Sequence, residues 1–282
     1  MAPMPRDFRV MGVVNVTPDS FSDGGRYLDP DAAVAHALAL AAEGADVLDF
    51  GGESTRPGAE PVPAEEERRR VGPVIERVAG RSPAQLSIDT SKATVAEAAI
   101  AAGATMVNDV TALRGDPEMA GLVADRGVDC CLMHMLGEPR TMQLDPHYDD
   151  VVGEVAAFLE ERLAFAVRAG IREERILLDP GIGFGKTLEH NLELLRRLDE
   201  IVALGRPVVV GTSRKSFLGL LTGRAEPDQR LAGTIATNVL ALERGAAVFR
   251  VHDVGPVREA LVVAAATVSE RWTPTTPSAR TS

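Results

Sequence analysis

Short apolar runs in this chain stop, one after another, at residues able to bind or react: Asn15, Asp49, Asp89, Asn108, His134, Asp179, Lys215, and the pair Arg250 and His252. The series suits two kinds of chemistry. The first is anion binding. Val248-Phe249-Arg250-Val251-His252 reads as a strand, and alternation puts Arg250 and His252 on one face. Asp253-Val254-Gly255-Pro256 then opens a helix, and Gly211-Thr212-Ser213-Arg214-Lys215-Ser216 leads into another. Helix N-termini present N–H groups and positive potential, and Arg and Lys add charge-assisted hydrogen bonds. A phosphate or carboxylate fits such a place. The plainer alternative is that Arg214 and Lys215 are exposed residues at a helix start. The second chemistry is recognition of a flat heterocycle. A buried Asp179 carboxylate can accept from two adjacent N–H donors, as a pterin or guanine ring presents them. Each hydrogen bond to a charged group contributes about 1.5–3 kcal/mol.

Other reactive-looking groups have bland readings. Cys130 and Cys131 sit in an apolar run and read as core. His134 is either a base or a satisfied histidine. Gly-Lys-Thr at 185–187 is not a nucleotide loop, because Pro180 stands where the first glycine is required. No zinc-type His or Cys spacing occurs. Magnesium is compatible, since it often takes only one or two protein ligands together with water and phosphate oxygens.

These groups need elements to hold them. Apolar runs at 10–16, 47–50, 86–88, 106–107, 130–135, 176–178, 208–210 and 248–251 suit parallel strands buried on both faces. Helical patterns alternate with them at 32–43, 63–78, 94–102, 117–125, 149–169, 190–204, 230–244 and 256–272. Asp29-Pro30-Asp31 reads as a cap with proline in the first turn. Gly44, Gly103, Gly127, Gly170 and Gly245 stand where helices should stop. The rhythm predicts an α/β fold, a single-domain (β/α)8 TIM barrel over residues 10–272, with a short extension at 1–9 and a disordered tail at 273–282. An open doubly wound sheet is the alternative, but the glycine fingerprint expected after its first strand is missing. Barrel chemistry gathers where strands end, so the polar series becomes one rim. The segments 17–28 and 53–63 are long for a barrel and read as loops that close over a substrate.

The net charge of −11 argues against a nucleic-acid surface. No window reaches the roughly 18 apolar residues of a membrane helix, and Met1 to Arg9 shows no secretory signal. The adjacent cysteines suit a reducing compartment.

Taken together, the segments resemble those of dihydropteroate synthases. The resemblance is carried by Met11-Gly12-Val13-Val14-Asn15-Val16-Thr17-Pro18-Asp19-Ser20-Phe21-Ser22-Asp23-Gly24-Gly25 and Gly51-Gly52-Glu53-Ser54-Thr55-Arg56-Pro57-Gly58. Ser87-Ile88-Asp89-Thr90, Val107-Asn108-Asp109-Val110, Met133-His134-Met135 with Thr141-Met142-Gln143, the turn from Asp179 to Lys186, Thr212-Ser213-Arg214-Lys215-Ser216 and Arg250-Val251-His252-Asp253 follow in family order. It spans roughly Met11 to Trp272.

The resemblance implies a folate-pathway transferase of alkyl groups other than methyl. It would condense 4-aminobenzoate with (7,8-dihydropterin-6-yl)methyl diphosphate, with magnesium as cofactor. It implies that Asp89, Asn108, Asp179, Lys215 and Arg250 hold the pterin, and that Asn15, Arg250 and His252 hold the diphosphate, with Asn15 also on the metal. Phe21, Thr55, Arg56, Pro57, Phe184 and Ser216 would line the aminobenzoate pocket, and Asp89, Lys215, Arg250 and His252 would be catalytic. Family members are cytoplasmic, usually homodimeric, and targets of sulfonamides. The rival functions are a non-catalytic pterin-binding paralogue, expected to lose loop or anion-site residues, and a methyltransferase acting on methyltetrahydrofolate, which would not need Arg-Val-His.

Overall fold

Eight strands, all parallel, run β1 (Arg9–Asn15), β2 (Val47–Gly51), β3 (Gln85–Asp89), β4 (Met106–Asp109), β5 (Asp129–Met133), β6 (Ile176–Asp179), β7 (Val209–Val210) and β8 (Val248–Val251) in a computed structural model. It describes residues 8–17, 29–54 and 58–268. Neighbours in the sheet follow chain order, with β1 also pairing β8, and the bridge from Leu178 to Val208 joins β6 to β7. The sheet is therefore closed, the predicted barrel. Parallel neighbours need long crossovers. Helices α1 (Pro30–Ala42), α2 (Ala64–Val78), α3 (Ala93–Ala101), α4 (Met119–Arg126), α5 (Val151–Arg168), α6 (Leu188–Arg196), α7 (Leu198–Val202), α8 (Ser216–Thr222), α9 (Leu231–Glu243) and α10 (Val254–Val268) lie in them or follow the last strand.

Strand alternation sorts the core into two. Met11, Val47, Met106, Cys131, Leu177, Val209 and Val248 form one fully buried cluster, the floor of the barrel. The residues between them, such as Val10, Leu48, Val107, Cys130, Leu178 and Phe249, pack outward against the helices. Two residues beyond a floor residue the chain returns to the inner face. That step leads from Val47 to Asp49, from Met106 to Asn108, from Leu177 to Asp179 and from Val248 to Arg250. The site residues thus stand one layer above the floor, on rigid backbone.

Local expectations hold at several ends. Asp29 caps α1, its side chain accepting from the N–H groups of Asp31 and Ala32. Gly127 ends α4 in the left-handed region, at φ 61°. Cys130 and Cys131 are free and buried, and burial pushes both thiols up, as core residues rather than nucleophiles.

Other boundaries differ. The segment expected as one helix over 190–204 is two, α6 and α7, divided at Arg197. Arg197 reaches out to Asp150, ahead of α5, at 3.0 Å. The last helix begins at Val254, ahead of Pro256, because proline is tolerated in a first turn. Strand β5 stops at Met133 rather than 135, since its partner β6 ends opposite at Asp179. The 1–7 part of the extension, the tail at 273–282 and most of the first long loop lie outside the described residues.

Candidate active site

Arg250 organises the mouth of the barrel. Its Nε donates to Asp49 Oδ2 at 2.7 Å and its Nη2 to Asp89 Oδ2 at 2.7 Å, which ties β8 to β2 and β3. Asp49 is fully buried and also accepts from Ser87 Oγ at 2.6 Å and from Asn108 Nδ2 at 3.0 Å. The latter contact sets which end of the Asn108 amide faces Asp49. Burial opposes the charge of Arg250, but Asp49 and Asp89 outweigh it and hold the guanidinium charged. Burial pushes the Asp89 carboxyl up. Arg250 pulls it down, and the nearby acids Asp49, Glu67 and Asp109 push it further up.

A second group stands across the mouth. Asp179 is buried, and its Oδ1 accepts from the Gly181 N–H at 2.7 Å. Burial raises its pKa despite Lys215, the Gly181 N–H, Arg250 and Lys186. Lys215 precedes α8 and turns inward. Its Nζ donates to the Ile182 carbonyl and lies 4.6 Å over the Phe184 ring. Burial depresses this ammonium to about 8, Asp179 opposing the shift. A buried carboxylate and an ammonium thus stand near enough to act on one another's charge, and Lys215 lies close to Arg250, since a Cβ on Gly211 would fall 3.8 Å from the Lys215 Nζ and 3.9 Å from the Arg250 Cβ. That is a donor and acceptor set for a flat, edge-reading ligand.

The strand-eight exit is held separately. Arg214 takes the left-handed conformation, at φ 59°, and places Nε and Nη2 on Asp253 at 3.0 and 2.5 Å. It joins two loops, and the exposed helix-start reading fails for it as it does for Lys215. The His252 N–H donates to Ser213 Oγ at 3.1 Å, and its ring Nδ1 lies 3.0 Å from the same oxygen, which orients the imidazole.

His134 does not join this rim. It leaves β5 on the outward parity, and its Nδ1 lies 2.9 Å from the Lys186 Nζ. Its ring stands edge-on to Phe158, centroids 4.8 Å apart. Burial, then Lys186 and Arg114, depress it to about 3, so it is a satisfied neutral histidine and not the base. Phe184 packs on Val110, Met133, Met135 and Met142 beside Lys215, while Ser216 is exposed at the first turn of α8. Asn15 closes β1, partly exposed. The remaining expected pocket residues, Phe21, Thr55, Arg56 and Pro57, lie outside the described residues. Sequence reasoning assigned no role to Ser87, Ser213, Lys186 or Asn191. Ser87 had a signal, its shared face with Asp89. The others had none that is local.

A closed parallel barrel with this carboxylate, amide and ammonium set at its C-terminal mouth defines an α/β-barrel enzyme for a planar hydrogen-bonding substrate. The model of the family described as pterin binding enzyme matches residues 11–252. The dihydropteroate synthase of Neisseria meningitidis serogroup B is 50% identical over 262 residues, covering 90% of this chain and 91% of that protein. The Xanthomonas albilineans dihydropteroate synthase with 4-aminobenzoic acid superimposes with a TM-score of 0.86 at 56% identity, covering 91% of this chain and 92% of that one. The same organism's enzyme in complex with 7,8-dihydropteroate gives a TM-score of 0.82 at 52% identity, over 91% and 92% of the two chains. The chain belongs to the pterin binding enzyme family, among its dihydropteroate synthases.

Proposed function

We propose that this chain joins 4-aminobenzoate to (7,8-dihydropterin-6-yl)methyl diphosphate, releasing diphosphate and 7,8-dihydropteroate. The observation that carries the reading is the gathering, at the C-terminal ends of the strands, of buried Asp179, of Lys215 within reach of its charge, and of the Arg250–Asp49–Asp89 network. Asp179 accepts from the adjacent N–H donors of the pterin, with Asn108 and Lys215 at its other edges. Arg250 covers the ring and, with His252 and Asn15, receives the diphosphate.

The step breaks the bond from the methylene carbon to the diphosphate oxygen, and the electron pair leaves with diphosphate. Positive charge is left on the methylene and spreads into the pterin. Asp89, close to that ring, favours the cation electrostatically. The arylamine nitrogen attacks with its lone pair and afterwards loses a proton to solvent or to diphosphate. An arylamine is neutral and nucleophilic at ordinary pH, so no strong base is needed, which accords with the neutral buried His134. Arg250 and His252 meet the charge that develops on the leaving group, where preorganised donors contribute most.

Magnesium fits the donors present. Gly51 has no side chain, and a Cβ there would lie 3.7 Å from Asp89 Oδ2 and 3.8 Å from Asn15 Oδ1. Two hard oxygens thus lie near one another at the ends of β1 and β3, that of Asp89 also accepting from Arg250. Asn15 would hold the ion, with diphosphate and water available as further ligands. An ion held there would supply positive charge to the leaving diphosphate.

The non-catalytic paralogue is disfavoured by the intact anion site of Asn15, Arg250 and His252. The methyltransferase reading is disfavoured by Arg250 and His252, which it would not need. Purified protein mixed with both substrates and magnesium should form dihydropteroate, and chelation of magnesium should stop it. Pterin binding without product would overturn the catalytic reading.

We place the enzyme in the cytoplasm, in keeping with free cysteines, and no described helix is long and apolar enough to cross a membrane. It acts as a homodimer. Supporting this, α8, α9 and α10 expose Leu220, Leu221, Leu240, Val262, Val263 and Val268, and exposed apolar groups gathered on neighbouring elements mark interfaces. Val263→Asp is expected to halve the mass seen by analytical ultracentrifugation. A dimer that persists in that variant, or a monomeric wild type, would refute the assignment.

A further inference from the structure

We infer that Gln143, Lys186 and Asn191 are positioning residues that fix the loop after β6 so that Phe184 presents its ring to the aminobenzoate. This rests on the function proposed above. The loop 180–186 carries three glycines at positive φ, 66°, 83° and 63° at Gly181, Gly183 and Gly185. Chain of that kind does not hold one shape by itself.

Side chains hold it instead. Gly183 donates its N–H to Asn191 Oδ1 at 2.6 Å, and its carbonyl accepts from Gln143 Nε2 at 2.7 Å. The Phe184 carbonyl accepts from Lys186 Nζ at 2.9 Å, and the Gly185 carbonyl from the Tyr148 hydroxyl at 2.9 Å. At the inner end Asp179 holds the Gly181 N–H and Lys215 holds the Ile182 carbonyl. Backbone packing then closes the back of the loop, since a Cβ at Gly181 would lie 1.8 Å from the His134 carbonyl oxygen.

Asp179 and Lys215 have work at the substrate, but Gln143, Lys186 and Asn191 have none in the mechanism. Lys186 makes the point most sharply. It is 3% exposed, and its ammonium is shared between His134 Nδ1 and the Phe184 carbonyl. Burying a lysine is costly, and an apolar residue would pack there more cheaply. Its ammonium hydrogen bonds go to the loop itself and to His134, just beyond β5. The Thr141-Met142-Gln143 segment, likewise without a role in the chemistry, ends on the same loop. What the loop carries is Phe184, seated beside Lys215.

Displacing a positioning group by about 1 Å can cost about a hundredfold, so loss of one of several ties should cost less. Gln143 is exposed, and its replacement should leave folding intact. Gln143→Glu keeps the shape and loses the donor to the Gly183 carbonyl. It is expected to raise KM for 4-aminobenzoate about tenfold while the Kd for a pterin stays within about twofold. Gln143→Lys restores a donor and should recover most of the loss. Lys186→Met should shift KM in the same direction. A folded Gln143→Glu enzyme with unchanged KM, or equal losses for both ligands, would overturn the inference. Wild-type protein without turnover would instead remove the proposed function and this inference with it, so the two failures are told apart by the wild-type assay.

Discussion

Asp179→Asn should leave a folded protein whose affinity for a pterin falls by about 10² to 10⁴. Asp179 offers two acceptor oxygens and a charge at the inner end of the mouth. The exchange replaces one acceptor by an NH2 group that meets the ligand's own N–H donor. Two hydrogen bonds to a charged group at about 1.5–3 kcal/mol each account for the range. The fold should survive. The asparagine oxygen can still accept from the Gly181 N–H, now 2.7 Å from Asp179. Burial already disfavours the Asp179 charge, so its removal relieves one cost while leaving Lys215 and Lys186 less compensated. Calorimetric titration with a pterin, beside a thermal melt, separates binding from folding. Unchanged affinity in a folded variant would remove Asp179 from the pterin site.

Arg250→Leu is expected to lower kcat/KM by at least about 10³, the scale of losing a preorganised charged donor. It should also destabilise the protein, because breaking a buried ion pair costs about 3–5 kcal/mol. Asp49 and Asp89 would then face one another without the guanidinium between them. The pH dependence identifies the cause. Burial already raises Asp89 in the presence of Arg250, and loss of the cation raises it further. A carboxyl with a raised folded-state pKa binds more protons folded than unfolded, so stability falls as pH rises through that range. The deficit of Arg250→Leu relative to wild type should therefore be smallest below about 7, the value to which Asp89 is raised with Arg250 in place, and widen as pH rises from there toward about pH 9. Melts across that interval test it. A deficit that is flat, or that grows in acid, would mean that Arg250 stabilises by packing rather than by separating two acids.

Much of this architecture was readable in the chain itself. Hydrophobic period decides strand from helix, and the period-2 alternation of β8 puts Arg250 and His252 on one face before any partner is known. Caps such as Asp29 are local, because a side chain accepts from N–H groups two or three residues on. The same rule would have excluded His134 had the end of β5 been known. Cys131 faces the floor cluster, so Met133 faces in and His134 faces out. The run to 135 concealed that parity, since the strand stops where its partner stops.

What local pattern does not contain is which groups neutralise one another. Arg250 and Asp49 are 201 residues apart, and Arg214 and Asp253 are 39 apart. A charge near a strand end reads alike whether it awaits a substrate or is consumed by a neighbour. Arg214 and Lys215 are adjacent in the chain, yet one is paired to Asp253 and the other turns into the barrel beside Phe184. The sequence by itself determined the alternation of strands and helices and most of the rim, His134 excepted, because those follow from period and local hydrogen bonding. Closure of the sheet alone decided the pairings, the protonation preferences and the shape of the glycine loop, because burial and through-space charge exist only once distant strands stand side by side.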